Sequence, residues 1–63
     1  MIHVKRNIDN NIEVHKDSEW LATIEYLEGA YDILIWSDNY MEWFYEGTYN
    51  TLREAYTAIK GMI

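Results

Sequence analysis

The sequence contains no cysteine, no proline and only three glycines among its 63 residues. Without cysteine the chain can form neither a disulfide nor a thiolate metal site. The scarcity of proline and glycine argues against a low-complexity or disordered chain. No apolar run approaches the roughly 20 residues that a membrane-spanning helix needs, and the N-terminal residues lack the apolar core of a secretory signal. We therefore expect a cytoplasmic protein with no membrane partner.

Positive charge is missing from most of the chain. Residues 17–52 carry eight carboxylates and no Lys or Arg, within a net charge of −6 for the whole chain. Such a block repels phosphate backbones and anionic lipid, which argues against direct nucleic-acid binding. A basic protein surface is its natural electrostatic complement, so we expect a basic protein as the partner.

The aromatic content is the main source of apolar surface. Three Trp, six Tyr and one Phe occur in the chain, and each ring can bury roughly 150–250 Å². A single domain of this size, residues 1–63, buries only about 60 % of the surface of its unfolded chain. Because small folds usually need a further staple, we expect an aromatic-rich core or a second copy of the chain in a homodimer.

The N-terminal third reads as a β-hairpin. Residues 2–8 and 12–16 alternate between apolar and polar side chains, and Asp and Asn between them are typical of a tight turn. A three-residue loop at 9–11 would place Ile8 opposite Ile12 and keep the apolar side chains on one face.

The stretch from Trp20 to Glu46 reads as three more strands, at 20–27, 31–36 and 40–46. Two-residue turns at positions 28–29 and 38–39 join them. The predicted fold is therefore α+β, an antiparallel sheet of about five strands made of an N-terminal hairpin and a three-stranded meander, with one C-terminal helix packed on one face.

The predicted helix begins after a capping box, Thr51 followed by Glu54, in which the hydroxyl accepts an early backbone N–H and the glutamate reaches back. The apolar side chains recur at helical spacing from Leu52 to Ile59. Gly61 is a suitable stop.

The predicted turns sort the central side chains onto two apolar faces. One face carries Trp20, Ala22, Ile24, Tyr26, Tyr31, Ile33, Ile35 and Phe44, with Glu42 and Glu46 at its margin. The other carries Leu21, Thr23, Leu34, Trp36, Met41, Trp43 and Tyr45, together with Glu25 and Asp32. We assign the helix to the first, more aliphatic face. The second face then needs a cover, which is the N-terminal hairpin folded over it, a second protomer, or a target protein.

Glu25 and Asp32 are predicted to lie directly opposite each other on adjacent strands. Like charges in that position destabilise a sheet by a few tenths to about 1 kcal/mol. Three explanations compete: a register error of one residue, solvation at a sheet margin, or neutralisation by a basic partner or a cation.

No motif for catalysis rises above chance. His3 and His15 are the only histidines, and both fall at outward positions of the predicted hairpin, where plain surface histidines are the simplest interpretation. The chain has no phosphate-binding Gly loop and no nucleophile elbow. We therefore predict no enzyme activity, no metal and no cofactor. Stacking of the aromatic side chains on sugar rings is a minor alternative.

Two resemblances bear on function. The stretch 47–55, GTYNTLREA, followed by Ile59, resembles the strand-to-helix passage of HicB-type antitoxins. The short, acidic, cysteine-free and aromatic-rich profile is similar to that of small phage-encoded inhibitors of bacterial defence, including anti-CRISPR proteins and nucleic-acid mimics. Both resemblances imply a protein that blocks a toxin or host protein by binding it.

These observations favour a non-enzymatic inhibitor or adaptor that binds a basic, nucleic-acid-handling protein. Its acidic block would steer association, and its aromatic side chains would hold the complex. The predicted partner-binding residues are Glu25, Asp32, Trp36, Asp38, Glu42, Trp43 and Tyr45. The alternative is a structural or accessory homodimeric subunit with no inhibitory role.

Overall fold

The strands form one antiparallel sheet in which chain order and spatial order coincide, β1-β2-β3-β4-β5. The computed structural model describes residues 1–63. Its elements are β1 (Ile2–Arg6), β2 (Ile12–Lys16), β3 (Glu19–Leu27), β4 (Ala30–Ser37), β5 (Glu42–Tyr49) and α1 (Leu52–Met62). The predicted α+β fold is confirmed. The N-terminal hairpin, however, extends the sheet sideways and covers neither face, so its predicted role as a possible cover is wrong.

The turn between β3 and β4 matches its prediction. Glu28 and Gly29 both take positive φ, +51° and +83°. Two-residue hairpin turns with positive φ at both positions match the right-handed twist of the flanking strands. The register is the predicted one, with Ile24 opposite Ile33 and Glu25 opposite Asp32. The explanation of the acidic pair by a register error is therefore wrong.

The loop between β1 and β2 is longer than predicted. Arg6 pairs with Ile12, so five residues form the loop. The Asn7 side chain explains the difference, because its Oδ1 accepts hydrogen bonds from the backbone N–H groups of Asp9 and Asn11 at 3.0 and 3.1 Å. The predicted pairing of Ile8 with Ile12 is wrong, and Ile8 lies in the loop with 99 % of its surface exposed.

The loop between β4 and β5 is also longer than predicted. Ser37 pairs with Glu42, and Trp36 pairs with Trp43 where Met41 was predicted. Met41 instead lies in the turn with φ of +55°. The Trp36 indole N–H donates to Asp38 Oδ1 at 2.8 Å, and this bond holds the wider loop against the sheet. The register error is of two residues in β1–β2 and next to the β4–β5 loop, so the side chains there stay on the predicted faces. A bulge at Glu46 raises the error to three residues farther along, where Ile33 pairs with Gly47.

A β-bulge changes the position of Trp20. Val14 pairs with Ala22, whereas His15 pairs with Trp20, so Leu21 is an extra residue on β3. An extra residue reverses the alternation beyond it. Trp20 therefore lies on the face opposite to Ile24, and its predicted place beside Ile24 is wrong.

Helix α1 begins at the predicted cap. The Thr51 hydroxyl accepts a hydrogen bond from the Glu54 backbone N–H at 3.1 Å and donates to Glu54 Oε1 at 3.0 Å. The glutamate thus reaches back to the cap residue, as predicted, and its partner there is the Thr51 hydroxyl. The helix passes through Gly61 and ends at Met62, one residue beyond the predicted stop.

The core lies between α1 and one face of the sheet. Six apolar side chains are buried there: Val14, Ala22, Ile24, Ile33, Ala55 and Ile59. The predicted assignment of the helix to the aliphatic face is confirmed. The core is small, so each of its side chains matters to stability.

Replacing the helix anchor Ile59 with Ala should lower the free energy of unfolding by about 2–5 kcal/mol, because it removes a fully buried side chain. A domain of this size has only about 3–9 kcal/mol in total, so the variant should be close to unfolding. The exposed Thr57→Ala should change stability by less than about 0.5 kcal/mol. Urea unfolding of both variants measures this, and equal midpoints would show that Ile59 does not anchor the helix.

Candidate functional site

The face of the sheet turned away from α1, which we call the outer face, is covered by no segment of the chain. Strand alternation places on it the apolar and aromatic side chains of β3, β4 and β5 and the polar side chains of β1 and β2. Trp and Tyr on an uncovered sheet face are the residue types found at the centres of protein interfaces. The outer face is therefore the candidate site.

Three indole rings meet at the end of the outer face next to the β4–β5 loop. The Trp43 ring lies 5.2 Å from that of Trp20 and 5.4 Å from that of Trp36, centroid to centroid, in tilted and edge-on orientations. These are favourable geometries for aromatic pairs, worth about 0.5–1.5 kcal/mol each beyond the area they bury. The rings thus hold one another in place, although Trp20 remains 41 % exposed. We call these three residues the Trp cluster.

The indole N–H groups of the cluster differ in their partners. The Trp20 N–H donates to Ala22 O at 3.1 Å and to Thr23 Oγ1 at 3.0 Å, and that of Trp36 is bonded to Asp38. The Trp43 N–H has no acceptor within the chain and is not buried. It is a free donor at the middle of the cluster, available to an acceptor on a partner.

Glu25 and Asp32 lie side by side on the outer face without a cation. No salt bridge involves either carboxylate. Asn11 Nδ2 donates to Glu25 Oε2 at 3.5 Å, and Thr48 Oγ1 donates to Asp32 Oδ1 at 2.7 Å. Each carboxylate is half-buried, and its hydrogen-bond partner lies on the side away from the other carboxylate. The pair is thus hydrogen-bonded and partly solvated, and its negative charge remains available to a basic partner.

The structure brings together six of the seven predicted partner-binding residues. Trp36, Trp43 and Tyr45 line the outer face beside the two carboxylates, and Tyr45 is 61 % exposed and bonded to Thr48. Asp38 joins them from the adjoining loop through its bond to Trp36. Glu42 lies away from the other six, because it pairs with Ser37 and faces the helix side of the sheet.

Trp20, His15 and Glu13 belong to the outer face but were not among the predicted site residues. The His15 ring stacks on that of Trp20 at 6.1 Å, and His15 Nε2 lies 2.8 Å from Glu13 Oε1. His15 is half-buried, so its interpretation as a plain surface residue is wrong. The alternation in β2 indicates that Glu13 and His15 lie on one face. No signal in the sequence indicates the β-bulge that moves Trp20 to the same face.

Glu13 is only 8 % exposed, although its place on the polar side of the β2 alternation predicts exposure. The hydrogen bond with His15 lowers its pKa. Burial opposes this effect, and a bond with Asn7 and the charge of Lys5, 3.8 Å away, add to it. The ionised form is therefore the stabilised form in the folded chain.

Other features bear on what the chain can bind. No three His, Asp or Glu side chains come together in a way that could hold a metal ion. The only helix has 11 residues and is neither long nor apolar enough to cross a membrane. Comparisons with protein-family models, with curated proteins and with solved structures find no match to this chain. We therefore infer its function from the geometry of the outer face.

The lowered pKa of Glu13 has a direct consequence for stability. A carboxyl group whose pKa is lower in the folded chain contributes stability above its unfolded pKa, and this contribution is lost as the pH falls through the folded pKa. Glu13→Gln should therefore be less stable than the parent chain at neutral pH. The two should converge at acidic pH, where Glu13 is itself neutral. Urea unfolding at a series of pH values measures the difference, and a gap that does not shrink with acid would contradict the assignment.

Proposed function

We propose that the chain is a non-enzymatic binding protein that docks its outer face on a basic surface of a partner protein. The observation that carries the proposal is the Trp cluster, which lies on a sheet face that nothing in the chain covers. Interface energies are dominated by a few Trp, Tyr and Arg side chains near the centre of the contact. The cluster supplies three such side chains.

The size of the outer face suits a protein partner. Five strands spaced about 4.8 Å apart make a face roughly 20 Å wide, which is roughly 25 Å long along β3–β5 and shorter along the five-residue strands β1 and β2. A standard interface takes about 800 Å² of accessible surface from each partner, so a contact centred on this face and its rim reaches that size. The unpaired indole N–H of Trp43 offers one directional hydrogen bond within it.

The charge of the outer face indicates the chemistry of the partner. Asp38 bonds to Trp36 of the cluster, Glu25 and Asp32 lie farther along the same face, and none of the three carboxylates forms a salt bridge. Carboxylates beside an apolar centre favour a partner with Arg or Lys at matching positions, and they speed its association. They also disfavour direct contact with nucleic acid, because that contact requires basic groups on the protein.

Binding of these carboxylates to a basic protein surface would inhibit the partner's contact with nucleic acid. A protein surface rich in Arg and Lys is typical of a nucleic-acid-handling protein. Carboxylates seated there occupy the positions of phosphates, so the chain would compete with nucleic acid for the same surface. This is the mode of action that the resemblance to small phage-encoded inhibitors of bacterial defence implies, and we place it in the cytoplasm of a bacterial host.

A second candidate is a structural homodimer closed through the outer face. The observation that favours it is the small core, since only eight of 63 residues are buried in the single chain. A second copy would cover both Trp clusters at once. It would also bring the two sets of carboxylates together, which is unfavourable. We therefore rank it below a basic partner.

The test is capture of a partner from a bacterial lysate by the tagged chain, with low-salt and then high-salt washes. We expect a basic, nucleic-acid-handling protein whose retention falls with salt and whose nucleic-acid binding the purified chain inhibits. The double variant Trp43→Ala, Glu25→Lys should lose that protein. Recovery of the chain alone would favour the homodimer.

Matched controls separate the outer face from general charge and aromaticity. Glu28→Lys makes the same charge change in the β3–β4 turn, and Tyr40→Ala removes an exposed ring that packs on Phe44 on the helix side. Both should retain the partner. If they lose it as the double variant does, or if a folded double variant retains it, the outer face is not the binding surface. Circular dichroism of each variant confirms that it is folded.

A further inference from the structure

The helix side of the sheet is only half covered. Five strands make a sheet about 20 Å wide, whereas a helix with its side chains is about 10 Å across. Helix α1 packs most closely on β4 and β5. Val14 on β2 is buried, but the part of the β1–β2 half beside the first turns of α1 is left open, and Val4 on β1 is 52 % exposed there.

A groove runs along the open half beside α1. Ile12 and Ile24 form its floor, Leu52 and Tyr56 of the helix form one wall, and Val4 lies on the opposite rim; its volume is about 470 Å³. It shares its floor and Leu52 with a second hollow of about 190 Å³ that reaches Arg6. The two hollows form one elongated apolar surface, which we call the helix-side groove.

The charges at the helix-side groove are positive, in contrast to most of the chain. Arg53 lines the larger hollow and Arg6 the smaller one, and no carboxylate lines either. Arg53 forms no salt bridge within the chain. Arg6 Nη1 donates to Asn10 O at 3.1 Å and to Asn10 Oδ1 at 3.3 Å, which holds the guanidinium in place while its other N–H groups stay free.

The groove has only one wall, which decides the kind of occupant. Strand β1 is the edge of the sheet, so nothing beyond Val4 closes the far side. A small molecule is normally buried over most of its surface, and this groove would cover it from two sides only. A helix that lies beside α1 brings its own apolar stripe and needs no second wall. The open half of the sheet is also about one helix wide.

We propose that the helix-side groove binds an amphipathic helix of a partner protein, whose apolar stripe is flanked by Asp or Glu residues that pair with Arg6 and Arg53. A second copy of this chain does not supply such a helix. Its only helix buries Ala55 and Ile59 in its own core and carries Arg53 and Lys60 against the single acid Glu54. The chain would thus have two binding surfaces of opposite charge preference.

The probe for this surface is a synthetic, dye-labelled peptide of about 18 residues, long enough to form a helix when it docks. It carries a stripe of Leu residues at helical spacing with Glu on both flanks. The control peptide has Lys in place of every Glu. We expect the Glu peptide to bind in fluorescence anisotropy titrations and the Lys peptide to bind at least ten times more weakly.

Variants of the chain locate the binding. Arg6→Gln with Arg53→Gln should weaken binding of the Glu peptide at least tenfold, whereas Lys5→Gln, which removes a positive charge from the outer face, should change it less than twofold. Trp43→Ala should also leave it unchanged, so this proposal can fail independently of the proposed function. Absence of saturable binding, equal binding of the Lys peptide, or full binding by the arginine variant would overturn it. Self-association that the arginine variant abolishes would assign the groove to a second copy and overturn it as well.

Discussion

One helix about 10 Å across cannot cover two faces of a sheet about 20 Å wide, and the rest of this structure depends on that mismatch. Helix α1 buries part of one face and creates the only core, centred on Ile33 and Ile59. The other face keeps its indole rings, which pack against one another because no other element reaches them. A small chain with this imbalance has apolar surface left over, and such surface on small proteins usually marks an interaction site.

The fold could be predicted largely because side-chain alternation survives errors of two residues. The predicted β3–β4 register is confirmed, and Glu28 and Gly29 both take the positive φ of a two-residue turn. The β1–β2 register, and the β4–β5 register next to its loop, were wrong by two residues because Asn7 and Trp36 form side-chain hydrogen bonds that stabilise longer loops. Alternation alone does not indicate such bonds. The faces were nevertheless sorted correctly for nearly every residue.

The candidate site was predictable to the same degree. The aromatic and acidic residues of β3, β4 and β5 converge because their alternation was clear in the sequence. Trp20 was assigned to the wrong face, since a single bulged residue reverses its side and leaves no compositional signal. The burial of Glu13 depends on contacts with His15 and Lys5 from two strands, and only the register reveals them. Charge separates the two surfaces further, with carboxylates on the outer face and guanidinium groups at the helix-side groove.

We infer that the Trp cluster is open in the free chain. Acrylamide quenching of tryptophan fluorescence, measured with the molecular mass by light scattering over a dilution series, tests it most directly; a neutral quencher is needed because iodide would be repelled by the acidic face. We expect a monomer at micromolar concentration in which the indoles of Trp20 and Trp43 are quenched readily. A dimer that persists on dilution, with all three indoles shielded from acrylamide, would contradict the claim and show that the outer face is closed by a second copy.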